Sequence, residues 1–329
     1  LLHLTGYEKP TIEDIKNFRQ LHSPTAGHPE FGECPGIETT TGPLGQGLAT
    51  SVGMAIAERL SNAEYGDDLI SHYTYVLAGD GCLMEGVSQE AISLAGHLKL
   101  SKMIVLWDDN SISIDGATDL STSEDMQGRF EAAGWHVQAV DGHDPEAIEV
   151  AIGLAQEADQ PSMIACRTTI GFGAPNKQGT AATHGAPLGD AEITAAREFL
   201  NWPHAPFEIP EDILTAWRSL GDAGASASAA WKNKFGALDQ FVKEDFERRQ
   251  NKDLPAGFTA AINEYKAKLV AEPVKVATRK ASQMALEVVN GVVPETIGGS
   301  ADLTGSNLTK TSQTDAISAD DFTGRYMYY

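Results

Sequence analysis

Tyr73-Thr74-Tyr75-Val76-Leu77-Ala78-Gly79-Asp80-Gly81 and, one hydrophobic run later, Met103-Ile104-Val105-Leu106-Trp107-Asp108-Asp109-Asn110 decide the fold. Each opens as a short apolar run rich in β-branched and aromatic residues, the pattern of a strand buried in a sheet. Residues 85–97 between them carry helical spacing, so strand, helix and strand follow in order and the two strands are expected to be parallel. Asp80 and Asn110 then stand at the carboxyl ends of two parallel strands, where open α/β sheets bind ligands. A carboxylate and an amide are hard oxygen donors, suited to Mg²⁺ or Ca²⁺ carrying a diphosphate. The glycines let the main chain approach phosphates, and the next helix turns its N-terminus toward them.

The same alternation extends outward. Leu48, Val52, Ala55, Ile56 and Leu60 place a helix over 44–60, while 135–140 and 162–167 read as further strands and 147–158 as a further helix. A parallel sheet with helices on both faces is the expected α/β architecture. From about 191 to 249 the spacing is helical, with charges set among Ala, Leu and Phe, and reads as an outer layer and connector. Pro255, Gly257 and Pro273 punctuate 251–273, which is expected to be an extended linker with a short helix inside. A second α/β domain is expected to open at Val274, with a helix over 277–290 and a strand running into Gly298-Gly299-Ser300-Ala301-Asp302. Both ends of the sequence look like cuts: Leu1-Leu2-His3-Leu4 resembles a helix already under way, and Gly324-Arg325-Tyr326-Met327-Tyr328-Tyr329 resembles a strand.

A net charge of −22 argues against nucleic acid as a partner, because phosphate-backbone binding needs basic patches. No run approaches the ~20 apolar residues of a membrane-spanning helix, so no membrane partner is expected. Cys34, Cys82 and Cys166 are far apart and odd in number; they suggest neither a disulfide framework nor a zinc site and fit a reducing, cytoplasmic compartment. A nicotinamide dehydrogenase is disfavoured, since Gly79-x-Gly81 is followed next by Gly86 and lacks the third glycine at dinucleotide spacing.

Further segments join the diphosphate pattern. Thr39-Thr40-Thr41-Gly42-Pro43-Leu44-Gly45-Gln46-Gly47 is a glycine-rich loop entering a helix, and Gly27-His28-Pro29-Glu30 and Thr183-His184-Gly185-Ala186-Pro187 each place a histidine in a loop. Together with Gly79-Asp80-Gly81-Cys82-Leu83-Met84-Glu85-Gly86, Asp108-Asp109-Asn110-Ser111-Ile112-Ser113-Ile114-Asp115-Gly116, Ala277-Thr278-Arg279-Lys280 and Gly298-Gly299-Ser300-Ala301-Asp302-Leu303-Thr304, they occur in one order. In that order they resemble the transketolase family, thiamine-diphosphate enzymes that move two-carbon ketol units between sugar phosphates. The resemblance runs from Leu1 to Tyr329.

The resemblance implies a diphosphate-binding domain with a helical extension over 1–250, a linker over 251–273, and the beginning of a pyrimidine-binding domain over 274–329. It implies that Asp80, Asn110 and the carbonyl of Ile112 hold the metal, that Gly81 meets the diphosphate through its N–H and His184 through its ring, and that Gly42, Leu44 and Ile114 shape the cofactor pocket. His28 and His184 would face the donor sugar, Arg279 and Ser306 would grip its phosphate, and Glu85 and Asp302 would lie at the interface of a homodimer whose active sites sit between subunits. Histidine suits sugar hydroxyls because it exchanges protons near neutral pH. Arginine suits phosphate because its planar fork makes paired, charge-assisted hydrogen bonds. The family's glutamate that polarises the aminopyrimidine is expected beyond Tyr329, so the chain alone is expected to transfer very little ketol. Sister enzymes on the same scaffold, above all dihydroxyacetone synthase, remain open as alternatives. So does a non-catalytic subunit that binds thiamine diphosphate and needs a complementing chain.

Overall fold

The computed structural model describes every residue, Leu1–Tyr329. It divides into two compact units, one of Leu1–Ala57 with His72–Ser228 and one of Glu58–Ser71 with Ala229–Tyr329.

In the first unit, α1 (Leu2–Thr5), α2 (Ile12–Lys16) and a long loop lead into α3 (Gln46–Tyr65), whose last turns count with the second unit. Then β1 (Thr74–Gly79), α4 (Asp80–Met84), α5 (Gly86–His97), β2 (Met103–Asp109), α6 (Met126–Ala132), β3 (His136–Asp141), α7 (Pro145–Glu157), β4 (Ser162–Arg167) and α8 (Asp190–Phe199) follow, and α9 (Glu211–Gly236) begins here. The strands form one parallel sheet in the order β1-β2-β4-β3. Their register is level at the carboxyl edge: Gly79 pairs with Asp108, Asp109 with Arg167, and Arg167 with Asp141. A single edge therefore collects Asp80, the 108–112 turn, Arg167 and Asp141.

Residues of both parities along β2 and β4 are buried, as a parallel sheet covered on both faces requires. Ile104, Ile164 and Cys166 pack against Ala151 and Ala155 of α7, whose small side chains let the helix lie close to the strands. Each fully buried aliphatic side chain contributes about 2 kcal/mol. Asp125 and Asp144 accept from Gly128 N at 3.0 Å and Ala147 N at 3.1 Å, capping α6 and α7. Gly96 of α5 lies so near the turn after α6 that a Cβ there would come within 1.8 Å of the Ala133 carbonyl oxygen.

β1 departs from expectation. It is an edge strand, and on one face Leu77 is 85% and Tyr75 49% exposed, so only Val76 and Ala78 enter the core. Apolar composition alone cannot separate an edge strand from a central one, because the distinction lies in which strands pair.

The second unit holds α10 (Gln240–Gln250), α11 (Phe258–Ala271), α12 (Thr278–Val292), a two-stranded parallel pair of β5 (Gly298–Ser300) and β6 (Tyr326–Tyr328), and α13 (Thr304–Asn307). The helix expected inside 251–273 is longer than anticipated: α11 occupies most of the segment, and Gly257 and Pro273 bound it. Both residues are helix punctuation, and Ala260, Ala261, Leu269 and Ala271 are helix formers, so turn residues at the ends hid the length of the helix between them. Trp231, Phe235, Phe246 and Tyr65 form an aromatic cluster with neighbouring ring centroids 5.1–6.0 Å apart. No helix of the chain is long and apolar enough to cross a membrane.

Candidate cofactor site

The site grows from the carboxyl edge of the sheet. Gly79 ends β1 in an extended conformation and Asp80 opens α4, so the carboxylate sits at the switch from strand to helix. It is half-buried and satisfied from two sides. Trp107 Nε1 donates to one oxygen at 3.2 Å, and the Ser111 N–H donates to the other at 3.1 Å. Burial pushes its pKa up, with Asp109 and then Asp108 pushing the same way, against the pull of those two hydrogen bonds.

The turn after β2 is tightly built. Ser111 adopts the left-handed region at φ 60°, and the Asn110 side-chain oxygen accepts from Ile112 N at 3.0 Å. Ser113 and Gly116 exchange backbone hydrogen bonds, and the Thr118 N–H donates to the Ser111 carbonyl at 3.0 Å. Arg167, at the end of β4, donates to Asp109 Oδ1 at 2.9 Å and to Ser111 Oγ at 2.8 Å. Asn110 and the Ile112 carbonyl are thus carried on a braced turn that also bonds directly to Asp80. Ile114, four residues beyond Asn110, is 73% exposed. A cavity of about 190 Å³ opens beside Asp80 and includes Trp107, Asp109, Ser111, Asp119 and Glu124 in its walls.

The glycine-rich loop comes to the same place. A Cβ on Gly81 would lie 3.3 Å from Leu44 Cδ1, and a Cβ on Gly42 would lie 3.0 Å from His28 Cβ and 3.1 Å from its Cγ. Gly45 (φ +79°) could carry a Cβ only 2.8 Å from that of Glu85. Thr40 Oγ1 accepts from Phe31 N at 3.0 Å and ties the His28 loop to the glycine-rich loop. The fold therefore brings His28, Gly42, Leu44, Gly81, Glu85, Asp80, Asn110 and Ile112 together from four separate stretches of sequence.

His184 follows a short 3₁₀ turn in the loop after β4, exposed, with its N–H donating to the Ala181 carbonyl at 3.0 Å. No hydrogen bond joins its ring to the Asp80 cluster. Arg279, at the start of α12, Ser306, in α13, and Asp302, left-handed at φ 56° just after β5, are all exposed and belong to the second unit. Trp107, Ser111, Arg167 and Gly45 were not singled out from sequence. A tryptophan ending a strand beside a candidate carboxylate was the one available signal; the others act through register and backbone geometry.

Residues 1–255 match the family described as transketolase, thiamine diphosphate binding domain. The chain belongs to the transketolase family. It is 57% identical over 327 residues to a transketolase of Cereibacter sphaeroides, covering 99% of this chain and 49% of that protein. Against transketolase 1 of Vibrio cholerae it is 55% identical over 337 residues, covering 100% and 50%. The solved transketolase of Leishmania mexicana superposes with a TM-score of 0.91 at 42% identity, over 99% of this chain and 49% of that one. A Pichia stipitis transketolase solved with sedoheptulose 7-phosphate gives a TM-score of 0.92 at 41% identity, over 100% and 50%. The chain thus spans about half the length of the curated transketolases it matches.

The residues fit the cofactor of a transketolase. No three His, Cys, Asp or Glu side chains converge as a transition-metal centre. The candidate donors are a carboxylate, an amide and a main-chain carbonyl, all oxygen, as a hard divalent cation prefers. Burial, with Asp109 and Asp108 nearby, disfavours the charged form of Asp80, and Gly81 at the start of α4 adds no side chain of its own beside its N–H.

Proposed function

We propose that this chain binds thiamine diphosphate with Mg²⁺ or Ca²⁺ and supplies much of the active site of a ketol transferase acting on sugar phosphates. The observation that carries this reading is the direct bond between Asp80 and the braced 110–112 turn, with Leu44 and His28 closing over the same corner. Asp80, Asn110 and the Ile112 carbonyl would hold the cation, and the Gly81 N–H would meet the diphosphate. When bound, the thiazolium supplies an acidic C–H and an electron sink for cleaving a carbon–carbon bond.

The remaining roles belong to the chain's own side chains. Gly42, Leu44 and Ile114 form apolar walls that orient the cofactor and exclude water. His28 and His184 hold and move protons at sugar hydroxyls, a task suited to imidazole near neutral pH. Arg279 and Ser306 bind the terminal phosphate of the sugar, the arginine by paired hydrogen bonds. Glu85 and Asp302, both exposed, would pack against the partner in a homodimer.

Calorimetric titration of thiamine diphosphate, with Mg²⁺ and after chelation, tests the binding reading. Metal-dependent affinity is expected, and affinity indifferent to chelation would sink the metal assignment. In the full-length protein, turnover of xylulose phosphate with ribose phosphate should exceed turnover with formaldehyde as acceptor. The reverse preference would make the protein a dihydroxyacetone synthase.

A further inference from the structure

The Asp141-Gly142-His143 turn ending β3 has no role in the site described above, yet it grips the start of the loop that carries His184. The Asp141 carboxylate accepts from the His143 N–H at 2.9 Å and shapes the turn. Gly142 donates its N–H to the Arg167 carbonyl at 2.8 Å, and a Cβ there would lie 2.5 Å from Thr168 Cγ2, so only glycine lets the turn sit this close to the end of β4. His143 Nε2 then accepts from the Thr169 N–H at 2.9 Å, which leaves the ring proton on Nδ1. The same ring stacks on Phe172, with centroids 4.3 Å apart and planes inclined by 30°.

The contact continues to the catalytic candidate. Gly171, left-handed at φ +65°, lies against Thr183: a Cβ on it would come within 2.5 Å of Thr183 Cγ2. Thr183 directly precedes His184. The Gly179 N–H donates to the Ile170 carbonyl at 2.8 Å, and Lys177 Nζ to the Leu188 carbonyl at 2.8 Å, so residues 168–189 fold back on themselves as a compact loop. Its first residues are fastened to the sheet edge through Thr169 and Phe172.

We propose that His143 is a positioning residue for the proposed cofactor reaction: its Nε2, by accepting from Thr169, holds residues 168–173, and through Gly171 and Thr183 they set where His184 stands. This rests on the reading of His184 as a cofactor and substrate contact. An exposed loop that must present one imidazole needs an anchor in the rigid sheet, and β3 and β4 supply it side by side.

Two substitutions in the full-length protein separate the hydrogen bond from general packing. His143→Phe keeps a ring for Phe172 but removes the acceptor for Thr169. His143→Gln keeps an acceptor at similar reach. The thiamine diphosphate dissociation constant with Mg²⁺ and amide hydrogen exchange over 168–186 are the readouts, with Asp80→Asn as the reference for lost binding. For His143→Phe we expect a dissociation constant raised roughly tenfold and faster exchange at Thr169 and in the loop, with His143→Gln within about twofold of the parent. Parent-like affinity and exchange in His143→Phe would overturn the proposal, as would equal damage in both variants. If the parent protein binds no thiamine diphosphate, the cofactor reading fails instead. Exchange then decides the anchor alone: acceleration in His143→Phe sustains it and unchanged exchange overturns it.

Discussion

Asp80 in the first unit and Glu295 in the second are both partly buried carboxylates, yet their surroundings push them in opposite directions. Asp80 has only neutral donors, Trp107 and the Ser111 N–H, and burial with Asp109 nearby raises its pKa. Glu295 receives the Arg248 guanidinium at 2.6 and 3.1 Å, and that hydrogen-bonded pairing lowers its pKa despite some burial. In the second unit charge is matched within the chain: Arg248 also bonds Asp245, and Arg249 bonds Glu64 and Asp245. At the carboxyl edge of the sheet Arg167 pairs with Asp109, but Asp80 has neutral donors alone, beside a left-handed Ser111 and an exposed Ile114. The two carboxylates thus differ in whether the chain itself supplies a counter-charge.

Four substitutions probe that contrast. Asp80→Asn has the largest expected effect. It should weaken thiamine diphosphate binding in Mg²⁺ by about 100-fold or more, of order 2.7 kcal/mol, because one charged ligand is lost. Unchanged affinity in calorimetric titration would erase the distinction between the two regions.

Gly45→Ala should cost about 2 kcal/mol in the first unit, from its φ of +79° and the approach to Glu85, and should weaken cofactor binding as well. Chemical denaturation and calorimetry would check both parts. Trp231→Ala removes the ring stacked on Phe235 at 5.1 Å and the Nε1 hydrogen bond to the Leu69 carbonyl at 2.8 Å. It should destabilise the second unit by about 2 kcal/mol and leave cofactor affinity within about twofold; affinity falling in parallel would contradict the separation.

The smallest effect concerns pH. The folded pKa of Glu295 lies below its ordinary 4.5, so its contribution is fully present above that value and is lost as pH falls through the folded value. Its side chain is 29% exposed, so Glu295→Gln should cost only ~0.5 kcal/mol at pH 7 and nothing in strong acid. An equal cost at both pH values, measured by urea denaturation, would show that the pair acts through packing rather than charge.

Much of the site was legible before the fold was known. Gly79-Asp80-Gly81 and Asp109-Asn110 ended two apolar runs with a helix between them, and right-handed crossover connections then put Asp80 and Asn110 at one edge. The parts that escaped depend on which strands are neighbours. Strand order made β1 an edge strand and set Arg167 beside Asp109, 58 residues away in sequence. In 251–273 only the length of the helix was misjudged, since Gly257 and Pro273 sit at its two ends.

Taken alone, the sequence determined the parallel α/β class, the order of the family's motifs and the residue types fit for a diphosphate and a hard cation. These follow from periodicity and from side-chain chemistry, which are local properties. Only the tertiary structure decided that Ser111 bonds Asp80, that Gly45 must be bare to pass Glu85, and that His143 accepts from the Thr169 N–H. Those contacts join residues brought together by strand register and close packing, and no local pattern encodes the distance between them.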